Sequence, residues 1–145
     1  MKTIALVTGA NKGIGLEICR QLAQKGFHVL LGSRDQARGQ DAAASLARDG
    51  AEVEPMVIEL AAPATFEKAR KFIEERFGRL DVLINNAAIG EPEDFQRTAE
   101  NVPIETLRRT FETNFFGLVD LTQRLLPLLR ASANRQPIEH SWVAY

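Results

Sequence analysis

An apolar tetrad, Ile4-Ala5-Leu6-Val7, runs straight into Thr8-Gly9-Ala10-Asn11-Lys12-Gly13-Ile14-Gly15, after which Ile14, Ile18 and Leu22 recur at helical spacing. No other stretch restricts the fold as tightly. A buried strand, a glycine-rich turn and a helix start bring several backbone N–H groups to one point, where the helix dipole adds partial positive charge. That geometry suits a diphosphate. Gly9 lets the chain leave the strand in a tight turn, Gly13 lets backbone approach a phosphate, and Gly15 lets helix and strand pack closely. Lys12 precedes Gly13 and no Gly-Lys-Ser/Thr is present, so the turn is not a P-loop. A glycine-rich turn with no ligand is the plain alternative, and the strand-to-helix context argues against it.

The rest of the chain repeats the alternation. Strands are expected over 3–8, 27–31, 53–60 and 80–85, with Pro55 tolerable only at a sheet edge. Helices are expected over 13–25, 36–49 and 63–77, closed by Gly26, Gly50 and Gly78, with a long fourth from about 104. Their inward faces read Ile14, Ile18, Leu22 and Ala23, then Ala42, Ala43, Leu46 and Ala47, then Phe66, Ala69, Phe72, Ile73 and Phe77. Glu67 and Lys71 form an i,i+4 pair. The long helix carries Leu107, Phe111, Phe115, Leu118, Thr122, Leu125 and Leu129, with Asn114 on the same face and a kink expected at Pro127. Strand–helix alternation of this kind builds a parallel α/β sheet. A fifth strand is expected around Pro137 to Ser141.

At 145 residues the chain is long enough for one domain with a real core. A net charge of −1 gives no reason to expect nucleic acid or an anionic membrane as partner. The single Cys19 excludes an internal disulfide and reads as a buried small hydrophobe. With no long apolar span and no signal-peptide pattern, the cytoplasm is the default location. No metal site is expected. His28 opens the second strand and reads as an exposed structural residue.

The end of the second strand bears on cofactor choice. In dinucleotide-binding folds an acid about 20 positions past the glycines holds the ribose 2′-OH of NAD. Here Gly32-Ser33-Arg34 stands in that place. A carboxylate would repel a 2′-phosphate, whereas Ser33 and Arg34 can bond it and Lys12 adds a cation on the same side. NADP(H) is therefore expected over NAD(H). Asp35 reads as a turn residue or helix cap.

The Thr8-Gly-x-x-x-Gly-x-Gly15 pattern resembles the short-chain dehydrogenase/reductase family, and TGANKGIG is most similar to its carbonyl-reductase-like members. Asn85-Asn86-Ala87-Ala88 resembles the family's Asn-Asn-Ala-Gly, and Thr113-Asn114-x-x-Gly117 its Thr-Asn-x-x-Gly. The resemblance implies a Rossmann-type doubly wound parallel sheet, a three-layer α/β/α arrangement over residues 1–130 with strand order 3-2-1-4, and a divergent tail over 131–145. It implies cofactor contacts from Gly9, Asn11, Lys12, Gly13, Ile14, Gly15, Ser33, Arg34, Leu60, Asn86, Ala87 and Ala88. Glu59 stands where the family usually has an adenine-contacting Asp. Ala88 replaces a glycine, and its Cβ is costly if that position needs positive φ. In the family, Asn114 would hold a water in a proton relay.

The family's chemistry rests on Tyr-x-x-x-Lys helped by Ser: the phenol exchanges a proton with the substrate oxygen while hydride moves at C4 of nicotinamide. Here the one tyrosine, Tyr145, is the last residue, and Ser141 is the candidate serine. The expected function is NADP(H)-dependent carbonyl/alcohol interconversion on a small molecule, the chain being an N-terminal fragment or shortened form of the family fold. The alternative is a non-catalytic NADP(H)-binding or interaction module. A different Rossmann-like enzyme, such as a methyltransferase, is disfavoured by Ser33-Arg34 at the ribose position. Uncovered sheet edges and helix faces are expected to drive self-association.

Overall fold

The computed structural model describes residues 2–48, 50–90, 96–98, 100–133 and 142–144, the last three by backbone alone. Strands β1 (Ile4–Val7), β2 (His28–Ser33), β3 (Val53–Val57), β4 (Val82–Ile84) and β5 (Trp142–Ala144) form one sheet in the order β3-β2-β1-β4-β5. Every pairing is parallel. Helices α1 (Gly13–Gln24) and α2 (Gln36–Ala47) cover one face; α3 (Pro63–Phe77) and α5 (Leu118–Ala133) cover the other. Between β4 and α5, α4 (Ile104–Phe111) leads into a π-helical turn, Glu112–Gly117.

Strand residues alternate between the two cores, as the two-residue period of a strand requires. Val7, Val29 and Leu31 meet Cys19, Ala42, Ala43 and Leu46 on one side. Leu6, Leu30 and Leu83 meet Phe66, Ile73, Leu121 and Leu125 on the other. All six strand side chains are fully buried, each worth roughly 1.5–3 kcal/mol of apolar transfer. The expected doubly wound sheet and its 3-2-1-4 order are present, with β5 added beside β4. Because β1 lies between β2 and β4, the direction of winding reverses at its carboxyl end, where such sheets leave a crevice.

Several elements differ from the sequence expectation, each for a tertiary reason. The third strand stops at Val57 instead of Leu60, because Glu59 N–H turns away to Thr65 Oγ1 at 3.1 Å. Pro55 does lie on the edge strand. Ile14 is not a core residue: it is 76% exposed, since the first turn of α1 projects past the sheet. Ala47 is exposed at the end of α2, while Gly39, two turns earlier, is buried against Ser33. Glu67 pairs with Arg70, not Lys71; the Arg70 guanidinium bridges Glu67 at 2.8 Å and Glu74 at 2.7 Å. His28 is half-buried, with Nδ1 3.4 Å from Glu52 and Nε2 3.3 Å from Glu54. Helix α5 runs through Pro127 to Ala133. The expected fifth strand at 137–141 lies outside the described residues; the strand found begins at Trp142, opposite Val82.

The long fourth helix divides most instructively. Its second half is core, with Leu121, Leu125 and Leu129 buried. Its first half is not: Leu107, Phe111 and Phe115 are exposed, because α4 packs substantially only on the π-helical turn among the described elements.

Candidate functional site

The site is built where β1 and β4 end side by side. Thr8 leaves β1 with its N–H donating to Ile84 O at 3.0 Å, and its hydroxyl accepts from the N–H groups of Asn86 and Ala87 at 3.1 and 3.0 Å. The Asn86 side-chain amide donates back to Thr8 O and Gly9 O at 3.0 and 3.1 Å. Asn86 thus fastens the glycine turn to β4. The fastening is tight enough to dictate two glycines. At Gly9, with φ +63°, a Cβ would sit 2.7 Å from Ala87 Cα; at Gly15 it would sit 2.5 Å from Asn86 Nδ2.

Gly13 differs from both. Its φ is +57°, yet nothing lies within 4 Å of where its Cβ would point. Backbone is turned here toward open space at the start of α1. Lys12, the residue before the helix, is extended and gives no side-chain cap. The helix therefore opens onto solvent with N–H groups that no capping side chain takes, a cradle fitted to an anion. Asn11 is half-buried in the turn, while Lys12 and Ile14 are exposed at its rim.

At the end of β2 the expected pair divides. Arg34 is exposed and faces solvent, but Ser33 is buried, its hydroxyl donating to Asp35 O at 2.9 Å and accepting from Asp35 N–H at 3.2 Å. Ser33 shapes the turn, and a phosphate would meet Arg34 instead. Asp35 caps α2 by accepting from Arg38 N–H at 2.9 Å. The cap sets a second exposed guanidinium, Arg38, on the first turn of α2, four residues past Arg34. Its Nε lies 3.7 Å from Asp35.

The remaining candidates are placed as follows. Glu59 is exposed at the end of β3, and Leu60 is core, with its carbonyl against Gly117. No room exists there for a Cβ, which accounts for glycine at 117. Ala88 carries no strain, since no described residue other than glycine has positive φ. Asn114 lies in the π-helical turn, and both ends of its amide are used: Oδ1 accepts from Ile89 N–H at 2.7 Å and Nδ2 donates to Ile89 O at 2.8 Å. It binds the distant β4 loop, not the local helix backbone. Widened π turns of this kind recur at functional sites. Of the two asparagines ending β4, Asn85 is not fully paired among the described residues. Its Nδ2 donates to Thr122 Oγ1 at 3.2 Å while its buried Oδ1 accepts nothing. Ser141 and Tyr145 lie outside the described residues.

The model of the short chain dehydrogenase family matches residues 3–136. A short-chain dehydrogenase of Penicillium roqueforti is 41% identical over 133 residues, covering 90% of this chain and 51% of that protein. Carbonyl reductase [NADPH] 1 of Mus musculus is 38% identical over 131 residues, covering 89% of this chain and 46% of that protein. Among solved structures, L-sorbose reductase of Gluconobacter frateurii, complexed with NADPH and L-sorbose, superimposes with a TM-score of 0.78 at 30% identity. It covers 90% of this chain and 48% of its own. The chain spans about half the length of the relatives it matches. With the glycine turn, the Asn86 brace and the Asn114 anchor all in place on a parallel sheet, the chain belongs to the short-chain dehydrogenase/reductase family of oxidoreductases.

Proposed function

We propose that this chain binds NADP(H) at the carboxyl edge of its sheet and serves NADP(H)-dependent carbonyl/alcohol interconversion on a small molecule. One observation carries the reading. The uncapped start of α1, open at Gly13, lies on the same edge as the exposed cations Lys12 and Arg34, and the ribose position holds no carboxylate. In this reading the N–H groups of the turn hold the diphosphate, and Arg34, flanked by Arg38, receives the 2′-phosphate as a bidentate donor. Ile14 lays an apolar side chain along the cofactor. Leu60, Ala87 and Ala88 line the adenine and ribose side, mainly through backbone. Bound there, the cofactor supplies hydride to, or accepts it from, the carbon of a carbonyl/alcohol pair. Asn114 acts as a positioning residue, because its amide is committed to Ile89 and holds the loop after β4 against the π-helical turn.

The relatives' names support the cofactor class: one is a carbonyl reductase named for NADPH, and one was solved with NADPH. Calorimetric titration with NADPH and NADH, followed by turnover of small aldehydes and ketones, tests the reading in two stages. NADPH binding about tenfold or more tighter than NADH is expected, since charge-assisted hydrogen bonds are worth roughly 1.5–3 kcal/mol. No heat with either nucleotide refutes the site. Binding without turnover would make this chain an NADP(H)-binding module.

A further inference from the structure

Strand β3 closes one side of the sheet, with β2 next to it and no described strand beyond it. Its last bond to β2 runs from Ile58 N–H to Ser33 O at 3.0 Å. The following donor, Glu59 N–H, goes to no strand. Thr65, the third residue of α3, takes it: the hydroxyl accepts from Glu59 N–H at 3.1 Å and donates to Ala62 O at 2.8 Å. Ala62 N–H donates back to Glu59 O at 2.8 Å, which closes a ring of hydrogen bonds between the end of β3 and the start of α3. Ala62 holds the N-cap position, where a Ser, Thr, Asp or Asn would offer a side-chain oxygen, and it has none to give. The tie between loop and helix is made from inside the helix instead.

The inner half of this loop is fixed by other means. Leu60 is a core side chain, and its carbonyl lies so near Gly117 that a Cβ there would sit 2.2 Å away. Glu59 has no such anchor, since its side chain is exposed. Its backbone direction is therefore set by the Thr65 hydroxyl. The loop leaves the sheet at the carboxyl edge, beside the end of β2: Ser33 pairs with Val57, one residue before Arg34 and two before Glu59. In the cofactor reading above, on which this inference rests, Arg34 receives the 2′-phosphate and Leu60 lines the adenine side mainly through backbone. A backbone used as a binding surface must be held still, because ordering it on binding costs affinity. We infer that Thr65 is a positioning residue for the nucleotide, its hydroxyl holding the Glu59–Leu60 backbone in the direction that receives the adenosine half of NADP(H).

Two substitutions separate the hydroxyl from the packing. Thr65→Val keeps the shape of the side chain and removes the hydroxyl, whereas Thr65→Ser keeps the hydroxyl and removes the methyl. Each is titrated calorimetrically with adenosine 2′,5′-bisphosphate, which carries the adenine, ribose and 2′-phosphate without the nicotinamide. The temperature is one at which thermal melts show wild type and both variants fully folded. Thr65→Val is expected to bind about threefold to tenfold more weakly than wild type, the range one net hydrogen bond supplies, and Thr65→Ser within about twofold of it. A merely structural hydroxyl would lower the melting temperature and leave the affinity of the folded protein unchanged. Wild-type affinity in Thr65→Val therefore overturns the inference. So does an equal loss in Thr65→Ser, which would trace the effect to packing. No heat with the wild-type chain refutes the cofactor reading itself and this inference with it, so the two failures are told apart.

Discussion

At the amino edge of the sheet Arg79, Asp81 and Ser132 close on one another inside the protein. Asp81 accepts from Ile4 N–H at 2.7 Å, from Arg79 Nε at 2.9 Å and from the Ser132 hydroxyl, while Arg79 donates onward to Lys2 O at 2.8 Å. All three residues are buried. At the carboxyl edge the same strands end in an uncapped helix, a glycine facing open space and two solvent-exposed cations. Among the described residues, the amino-edge cluster turns its polar groups on one another. The carboxyl edge holds its frame rigid through Asn86 and Thr8 but presents donors outward. Stability and binding are therefore separable along the strand axis, and substitutions at the two ends should be distinguishable by which measurement they move.

The largest effect is expected at the closed edge. Asp81→Ala removes the acceptor for three donors and breaks the buried Arg79–Asp81 pair, a change that costs about 3–5 kcal/mol. Denaturant melts should record that loss, while the NADPH affinity of the folded fraction stays near wild type. A loss under about 1 kcal/mol would mean that the cluster is incidental. Arg34→Asp reverses the pattern. It should weaken NADPH by roughly tenfold to a hundredfold while leaving NADH unchanged or improved, and shift stability by no more than about 0.5 kcal/mol as an exposed substitution. Gly13→Ala falls between. Its φ of +57° makes a Cβ cost about 1 kcal/mol in stability, and because the added methyl enters the space left for phosphate, NADPH affinity should fall further than the melt alone explains. Equal losses in the two measurements would show that the space is not a phosphate site.

How much of this could be read in advance follows the range of the interaction. The glycine turn, the parallel alternation and the β4 motif are local signals, and they located the first four strands and the two cores. Ile14 keeps the helical period of Ile18 and Leu22, yet the period cannot tell that the first turn of α1 projects past the sheet. Ser33 has the right chemistry for a phosphate but spends its hydroxyl on Asp35, two residues away. Asp81 and Ser132 are 51 positions apart, so no pattern in either segment announces their contact. The apolar stripe from Leu107 to Leu129 is continuous in sequence, and only the placement of α3 decides that its second half is core. The π-helical turn likewise answers to distant anchors, Ile89 at Asn114 and Leu60 at Gly117.

The smallest expected effect comes from Cys19, between α1 and the sheet, midway between the two edges. Burial pushes its thiol up to about 12 from the ordinary value of about 8.5. The folded state then keeps its proton over a range in which the unfolded chain has lost it, so unfolding releases a proton and stability falls as pH rises. The contribution is complete below about pH 8.5 and is lost progressively toward 12, amounting to about 0.7 kcal/mol between pH 8 and 9. Denaturant melts across that interval, compared with those of Cys19→Ala, isolate the term: the wild-type slope should be the steeper, and thiol reagents should label Cys19 only as the chain unfolds. NADPH protection distinguishes the edges once more. If ligand binding at the carboxyl edge is thermodynamically separate from the core beneath α1, saturating nucleotide should raise both melts equally at every pH and leave their difference in slope unchanged.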